Sequence, residues 1–237
     1  MIDDEFGQRL LLAFNAPRDL PVHQLFNEWW AHVPADVAQS YVDLLMADDA
    51  FRSFIDEGRY GQSLDLDALG NFPDGSLGRC YRDWIADNGL AAAIATDYRQ
   101  FHDRLERSGR LDGMPTELRF AILRGFQVHD FLHVLTGYNA TSRGELALQA
   151  FSLAQFPFPY FGIWMSVVTT RMTFHDPRVI TMTMDSITDG WRYGQATNNL
   201  MVQPWEDMLG EPLHVLRERF AVVPSPFAAE MISRAAN

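Results

Sequence analysis

Apolar residues along this chain recur three and four positions apart almost throughout, and no stretch shows a convincing two-residue alternation that would predict a strand. "PADVAQSYVDLLMADDAFRSFIDEG" predicts one or two helices, opening with Pro34 and closing at Gly58. Residues 58–76, rich in Gly, Asp and Ser, predict the longest loop. "SLGRCYRDWIADNGL" then predicts a short helix ending at Asn88-Gly89, and "AAAIATDYRQFHDRLERSG" a longer one with Gly109 just past its end. In "PTELRFAILRGFQVHDFLHVLTG", Pro115 suits the first helical position and Gly137 stops the run. Between them Leu118, Ile122, Leu123, Phe126 and Leu132 keep helical spacing. "SRGELALQAFSLAQF" predicts the next helix, ending near Pro157, and three more helical stretches follow with Pro159, Pro177, Pro204 and Pro212 as punctuation. The pattern predicts one all-α domain over residues 1–237, with roughly eight to eleven helices.

Composition narrows the partners. The 237 residues are 47% hydrophobic and include 17 Phe and 6 Trp, which favours large apolar contacts or a groove for an apolar ligand. A net charge of −12 argues against nucleic acid, whose phosphates need Lys and Arg. It also argues against electrostatic docking on anionic lipid, so any peripheral membrane contact is expected to be apolar. "MIDDEFGQRLLLAF" has the pattern of neither a secretory signal nor an Arg-rich transit peptide. The most apolar stretch, "FPFPYFGIWMSVVTTRMTF", is interrupted by Pro157, Pro159 and Arg171 and does not predict a membrane span. Cys80 is the single cysteine, which leaves no disulfide and no thiolate zinc site. These features predict a reducing, cytoplasmic setting, with a place on the inner face of the cytoplasmic membrane open to an apolar face.

The densest chemistry lies in "VHDFLHVLTGYNATSRGEL", residues 128–146. Successive helical residues turn by about 100°, so His129 and His133 sit about 40° apart on one face, one turn apart. Asp130 falls on the same arc, and Glu145 opens the next helix, where a short turn can fold it back over the first. Two His at i, i+4 is a helical zinc-ligand spacing. Asp130 and His133 share the carboxylate-x-x-His spacing of helix-bundle metal sites. Two nitrogens and two oxygens suit Zn²⁺, Fe²⁺ or Mn²⁺ and not Cu(I). A purely structural reading stands beside this one. The histidines can be hydrogen-bonded core or surface residues, Asp130 can pair with Arg124 or Arg143, and Ser142-x-x-Glu145 is a capping box.

Two other chemistries fit less well. A zincin needs Glu where Asp130 stands and a third His at the extended spacing. A di-iron bundle would draw on Glu211 and His214, but Glu211 before Pro212 reads as a helix-start charge. His23, His32, His102 and His175 lack a carboxylate at ligand spacing, and "FHD" at 101–103 and 174–176 reads as solvated surface.

His129-Asp130-x-x-His133, then eleven residues and Glu145, resembles the signature of the coenzyme Q (ubiquinone) biosynthesis family known as Coq-four. "FPDGSLGRCYRDWI" (72–85) is similar to that family's Pro-x-Gly-Ser-Leu-Gly-Arg-x-Tyr segment, and residues 190–222 resemble its closing Trp-Glu and Leu-Arg helices. The resemblance spans about residues 70–223. It implies a mostly helical fold and a divalent metal, usually zinc, on His129, Asp130, His133 and Glu145. It further implies a role in the quinone pathway, with loss of the ring C1 carboxylate from a polyprenylated 4-hydroxybenzoate derivative and installation of a hydroxyl there. The alternative that it carries is a non-catalytic, prenyl-lipid-binding scaffold for the other pathway proteins. The lipid tail calls for an apolar groove beside the metal site, with Phe156, Phe158, Tyr160, Phe161 and Trp164 as candidate wall, and a homodimer is the base expectation. The family often carries basic residues just before the His-Asp pair and near "YGQATNN". Here Phe126, Gln127, Gln195, Thr197 and Asn198 stand there, so if those basic positions contact an anionic head group, a different head group is expected here.

Overall fold

The computed structural model describes residues 3–16, 19–59, 61, 64–90 and 98–229. All its bounded elements are helical, and the sole β-bridge among the described residues joins Ser76 to Pro212. In chain order they are α1 (Asp4–Asn15), α2 (Val22–Trp29), α3 (Ala35–Met46), α4 (Asp49–Asp56), α5 (Leu66–Leu69) and α6 (Leu77–Asp87). Next come α7 (Tyr98–Arg107), α8 (Thr116–Thr136), α9 (Ser142–Gln155), α10 (Pro159–His175) and α11 (Val179–Ala196). A 3-10 turn (Trp205–Met208) and α12 (Leu213–Arg219) close the series.

The all-α expectation is met, and the differences are local. "PADVAQ…DEG", expected as one or two helices, forms two because Asp48 caps α4, its carboxylate accepting from the N–H groups of Ala50 and Phe51. The long loop holds one extra turn, α5, under an Asp65 cap. α5, together with α1 and α2 ahead of the first helix read from the sequence, brings the tally among the described residues to twelve α-helices. Pro115 sits one place earlier than expected, at the N-cap of α8. Residues 91–97, the start of the expected "AAAIATDYRQ" helix, lie outside the described residues.

The centre is α8, buried over most of its circumference from Leu118 to Thr136. A helix apolar all round has to be wrapped by others. α6 and α7 pack against it, and α9 follows it through a short turn. Aromatic contacts tie the N-terminal helices to the rest: Phe26 of α2 meets Phe158 at 5.3 Å and Tyr160 of α10 at 5.4 Å, edge to face in both cases.

The tightest helix pair is α9 with α11. A Cβ at Gly190 would overlap the Ala147 carbonyl, and one at Gly194 would press on that of Phe151. Equal steps along both helices meet, so the two run in the same sense, backbone against backbone. We therefore expect Gly190→Ala to destabilise the fold by about 2 kcal/mol despite alanine's better helix propensity. Thermal unfolding should show a loss of roughly 4–8 °C, whereas Gly7→Ala in α1, whose Cβ would meet open space, should not lower the midpoint.

Candidate metal centre

The centre forms where α8 ends and α9 begins. Gly137 adopts the left-handed conformation, φ 85°, which glycine enters without a Cβ penalty. Its N–H donates to the His133 carbonyl at 2.9 Å. The turn then packs on the first coil of α9, and a Cβ at Gly144 would overlap the Asn139 carbonyl. The N-cap is Thr141, whose hydroxyl accepts from the Gly144 N–H at 3.3 Å. With Thr141 as the cap, Glu145 falls one position too late to close a capping box, so the Ser142 box that the sequence allows does not form, and the carboxylate turns toward α8.

His129, His133 and Glu145 converge. The two imidazole Nε2 atoms are 3.3 Å apart. Glu145 Oε1 lies 3.2 Å from His133 Nε2, and its Oε2 lies 3.3 Å from His129 Nε2. Asp130 stands further back, with a carboxylate oxygen within 4.8 Å of a ligand nitrogen on each imidazole. His133 is fully enclosed, while His129 and Glu145 keep about a quarter of their side-chain surface, 27% each. Burial disfavours a charged His129, but the hydrogen bond and charge of Glu145 outweigh it and hold the imidazole pKa above the ordinary histidine value. Burial also works against the Glu145 carboxylate, yet the two imidazoles pull its pKa well below the usual range. Asp130 is pushed upward, chiefly by burial.

The donor set fits a divalent cation. Nitrogens about 2.0–2.1 Å from a tetrahedral zinc stand about 3.3–3.4 Å apart, which is the spacing between these Nε2 atoms. His133 Nδ1 lies 2.9 Å from the Tyr138 carbonyl, an oxygen that can only accept. In the neutral ring the proton therefore sits on Nδ1, which leaves the Nε2 lone pair for the cluster. Trp84 of α6 stacks on the same ring at 4.7 Å and 18°. Neither Tyr138 nor Trp84 stood out in the sequence: one acts through its backbone, and the other arrives from a distant segment.

α6 is held in place by the chain's end. The N–H groups of Leu77 and Gly78, orphans of the helix start, donate to the carbonyls of Glu211 and Leu209. The Pro-x-Gly-Ser-Leu-Gly-Arg segment and the closing segment thus meet in space. Glu211 pairs with Arg219, which leaves it a structural charge and not part of a second carboxylate–His set.

Beside His129 and Glu145 lies a chamber of about 150 Å³, walled by Phe126, Phe158, Tyr160, Phe161 and Trp164. Four of the five expected wall residues line it. Phe156 does not: it is buried against Phe51, ring centres 5.0 Å apart, because the chain reverses there before α10 begins. Phe158 also borders a larger apolar groove of about 470 Å³ between α1 and α10, lined by Phe6, Leu10, Phe14, Gly162 and Ile163. Gln127, at a position where the family often carries a basic residue, instead clamps the Gly61 backbone with two hydrogen bonds. Two other histidines depart from expectation. His32 pairs with Asp3 at 2.6 Å, and His102 is half-buried beside Asp103 and Glu106 rather than on solvated surface. Arg119 already takes up Glu106 at 2.7 Å.

Comparison with known proteins agrees with this picture. Residues 54–226 match the family model described as coenzyme Q (ubiquinone) biosynthesis protein Coq4, which extends the resemblance toward the N-terminus. The mitochondrial ubiquinone biosynthesis protein COQ4 of Yarrowia lipolytica is 29% identical over 175 residues, 72% of this chain and 60% of that protein. Its counterpart in Komagataella phaffii is 26% identical over 176 residues, 73% of this chain and 53% of that one. The chain thus spans between half and two thirds of the length of these relatives. A crystal structure from Nostoc punctiforme, of a protein assigned to ubiquinone biosynthesis, shares the fold: TM-score 0.68, 22% identity, 94% of this chain and 99% of that one. Those relatives are named mitochondrial, and among the described residues no helix is long and apolar enough to cross a membrane. With a matched region covering most of its length, the chain belongs to the coenzyme Q (ubiquinone) biosynthesis protein Coq4 family.

Proposed function

We propose that the protein is a metal-dependent enzyme of ubiquinone biosynthesis that exchanges the ring C1 carboxylate of a polyprenylated 4-hydroxybenzoate derivative for a hydroxyl. The supporting observation is the convergence of His129, His133 and Glu145 at 3.2–3.3 Å beside an apolar chamber. His129, His133 and Glu145, with Asp130 behind them, would hold the ion, most readily Zn²⁺, with Fe²⁺ or Mn²⁺ also suited to these donors. Bound there, a divalent cation supplies Lewis acidity toward a carboxylate or phenolate oxygen. The exchange is a two-electron oxidation: the acid and one water give the phenol, carbon dioxide, two protons and two electrons. Dioxygen is the acceptor class that the proposal names.

The chain's own groups do the positioning. The Tyr138 carbonyl fixes the His133 tautomer, and the Trp84 ring fixes its plane. Phe126, Phe161 and Trp164 give the chamber apolar walls. α10 divides the ligand: Tyr160, Phe161 and Trp164 face the ring chamber, while Gly162 and Ile163 face the groove suited to the prenyl tail. Other quinone-biosynthesis proteins, and an apolar membrane contact at the groove's mouth, are the partners this assignment calls for.

Protein purified without chelator should carry about one divalent metal per chain by elemental analysis, and His133→Ala should lose it together with turnover. Turnover by the metal-free variant would sink the proposal, and stoichiometric metal with co-purified lipid but no turnover would favour the scaffold alternative. Metal uptake should also depend on pH. Because Glu145 holds the His129 pKa above 6.5, the proton must leave before the lone pair can bind. Apparent zinc affinity should therefore rise from pH 6 to pH 8, by up to about tenfold per unit for each proton displaced. Competition titrations against a chromophoric chelator read this directly, and a flat profile would count against imidazole ligation. Finally, a Cβ at Gly162 meets open space, so Gly162→Phe should fold normally yet fill the groove. Mass spectrometry of extracted lipid should show at least a severalfold loss relative to the parent protein.

A further inference from the structure

We infer that Gln149 reads the ring of the bound aromatic, its carboxamide pairing with a phenolic hydroxyl inside the chamber. This rests on the reading of that chamber as the head-group site. Gln149 lies one helical turn beyond Glu145 on the same face of α9, so both side chains look toward α8 and α10. Only 5% of Gln149 is exposed, and its Oε1 is sealed from water with no hydrogen-bond donor. Native interiors seldom leave an amide in that condition, because the lost hydration is not repaid. Gln149 lines the chamber beside Ala121, Ile122, Tyr160, Phe161 and Trp164, and a modest turn of its carboxamide would bring the orphaned oxygen to a ring held there.

The size of the chamber sets the class of ligand. At about 150 Å³ it matches an apolar protein cavity that takes one benzene ring, so it admits a single ring while a longer chain has to run elsewhere. Such a ring placed against His129 and Glu145 at one end meets Gln149 on the α9 side. A phenolic hydroxyl both donates and accepts, as does a carboxamide, so the pairing holds for either orientation of the amide. A ring without the hydroxyl would leave the amide unpaired, and a site built this way rejects that analogue. The Gln149 side chain is thus a specificity-determining group, distinct from the metal ligands.

The test compares 4-propylphenol with propylbenzene on the full chain by isothermal titration calorimetry, using chelator-treated protein so that metal cannot supply the preference. Wild type should bind the phenol on the order of tenfold more tightly. Gln149→Leu, and the near-isosteric Gln149→Met, should bring the ratio to about one while propylbenzene affinity stays within about twofold. Equal affinities in wild type, or a phenol preference that survives both substitutions or vanishes only in Tyr160→Phe, would overturn the inference. Elemental analysis of His133→Ala protein keeps the two readings apart. If the phenol preference persists there without metal, Gln149 is supported independently of the ion; if metal is bound as proposed but the ratio is one in wild type, Gln149 alone is wrong.

Discussion

The arrangement depends on how the last turn of α8 is closed. A helix end leaves four carbonyls without partners, and here each has one. His133 takes the Gly137 N–H, Val134 and Leu135 take the guanidinium of Arg217 from α12, and Thr136 takes the Tyr193 hydroxyl from α11 at 3.4 Å. Elements more than fifty residues away thus pin the end of the helix that carries both imidazoles. With that end fixed, the Tyr138 carbonyl lies where His133 Nδ1 can reach it, and Tyr138 itself is anchored through its hydroxyl to Asp189, which Ser225 also engages. The position of one lone pair is therefore set by contacts from three later segments of the chain.

The same logic separates the chamber from the groove. α10 follows α9 after only Phe156, Pro157 and Phe158, so its first turns are held against the metal-site helix on one side. The other side is left for α1 and α2, where Arg171 near the end of α10 donates to the carbonyls of Phe14 and Asn15. The N-terminal helices, for which the sequence offered no role, supply the far wall of the large groove. A small chamber and a long groove that share Phe158 suit a molecule with a compact polar head and an apolar tail.

Much of this was legible in the residues. The long helices α8, α9, α10 and α11 repeat their apolar pattern over enough turns, between Gly137 and the prolines, to be read without tertiary information. The i, i+4 histidines and the later glutamate were visible for the same reason: helix geometry alone brings the first two together. What escaped depended on other physics. The one-residue shift of the cap from Ser142 to Thr141 follows from how tightly the turn packs on Gly144, which local propensity does not encode. α5 is a single turn held by its Asp65 cap and neighbours. Trp84 reaches His133 only because two stretches more than a hundred residues apart share backbone hydrogen bonds, and no local pattern announces such a pairing. Phe156 and Phe158 look alike in sequence and both pack in the core, their ring centres 5.8 Å apart, yet only Phe158 also borders the chamber.

Electrostatics gives these helix ends their purpose. Two imidazoles brought to 3.3 Å with a half-buried carboxylate between them are stable only if positive charge sits in their midst. A proton can supply it, and that is why the His129 pKa rises while that of Glu145 falls. A divalent cation would supply more of it, at the same point and to the same donor atoms. Proton and metal would then compete for one pre-organised cage, and the Tyr138 carbonyl, by holding His133 Nδ1, leaves Nε2 as the ring atom turned toward it. In a chain of net charge −12, a site that gathers cations is also favoured by the long-range field, which raises the local cation concentration around the whole molecule.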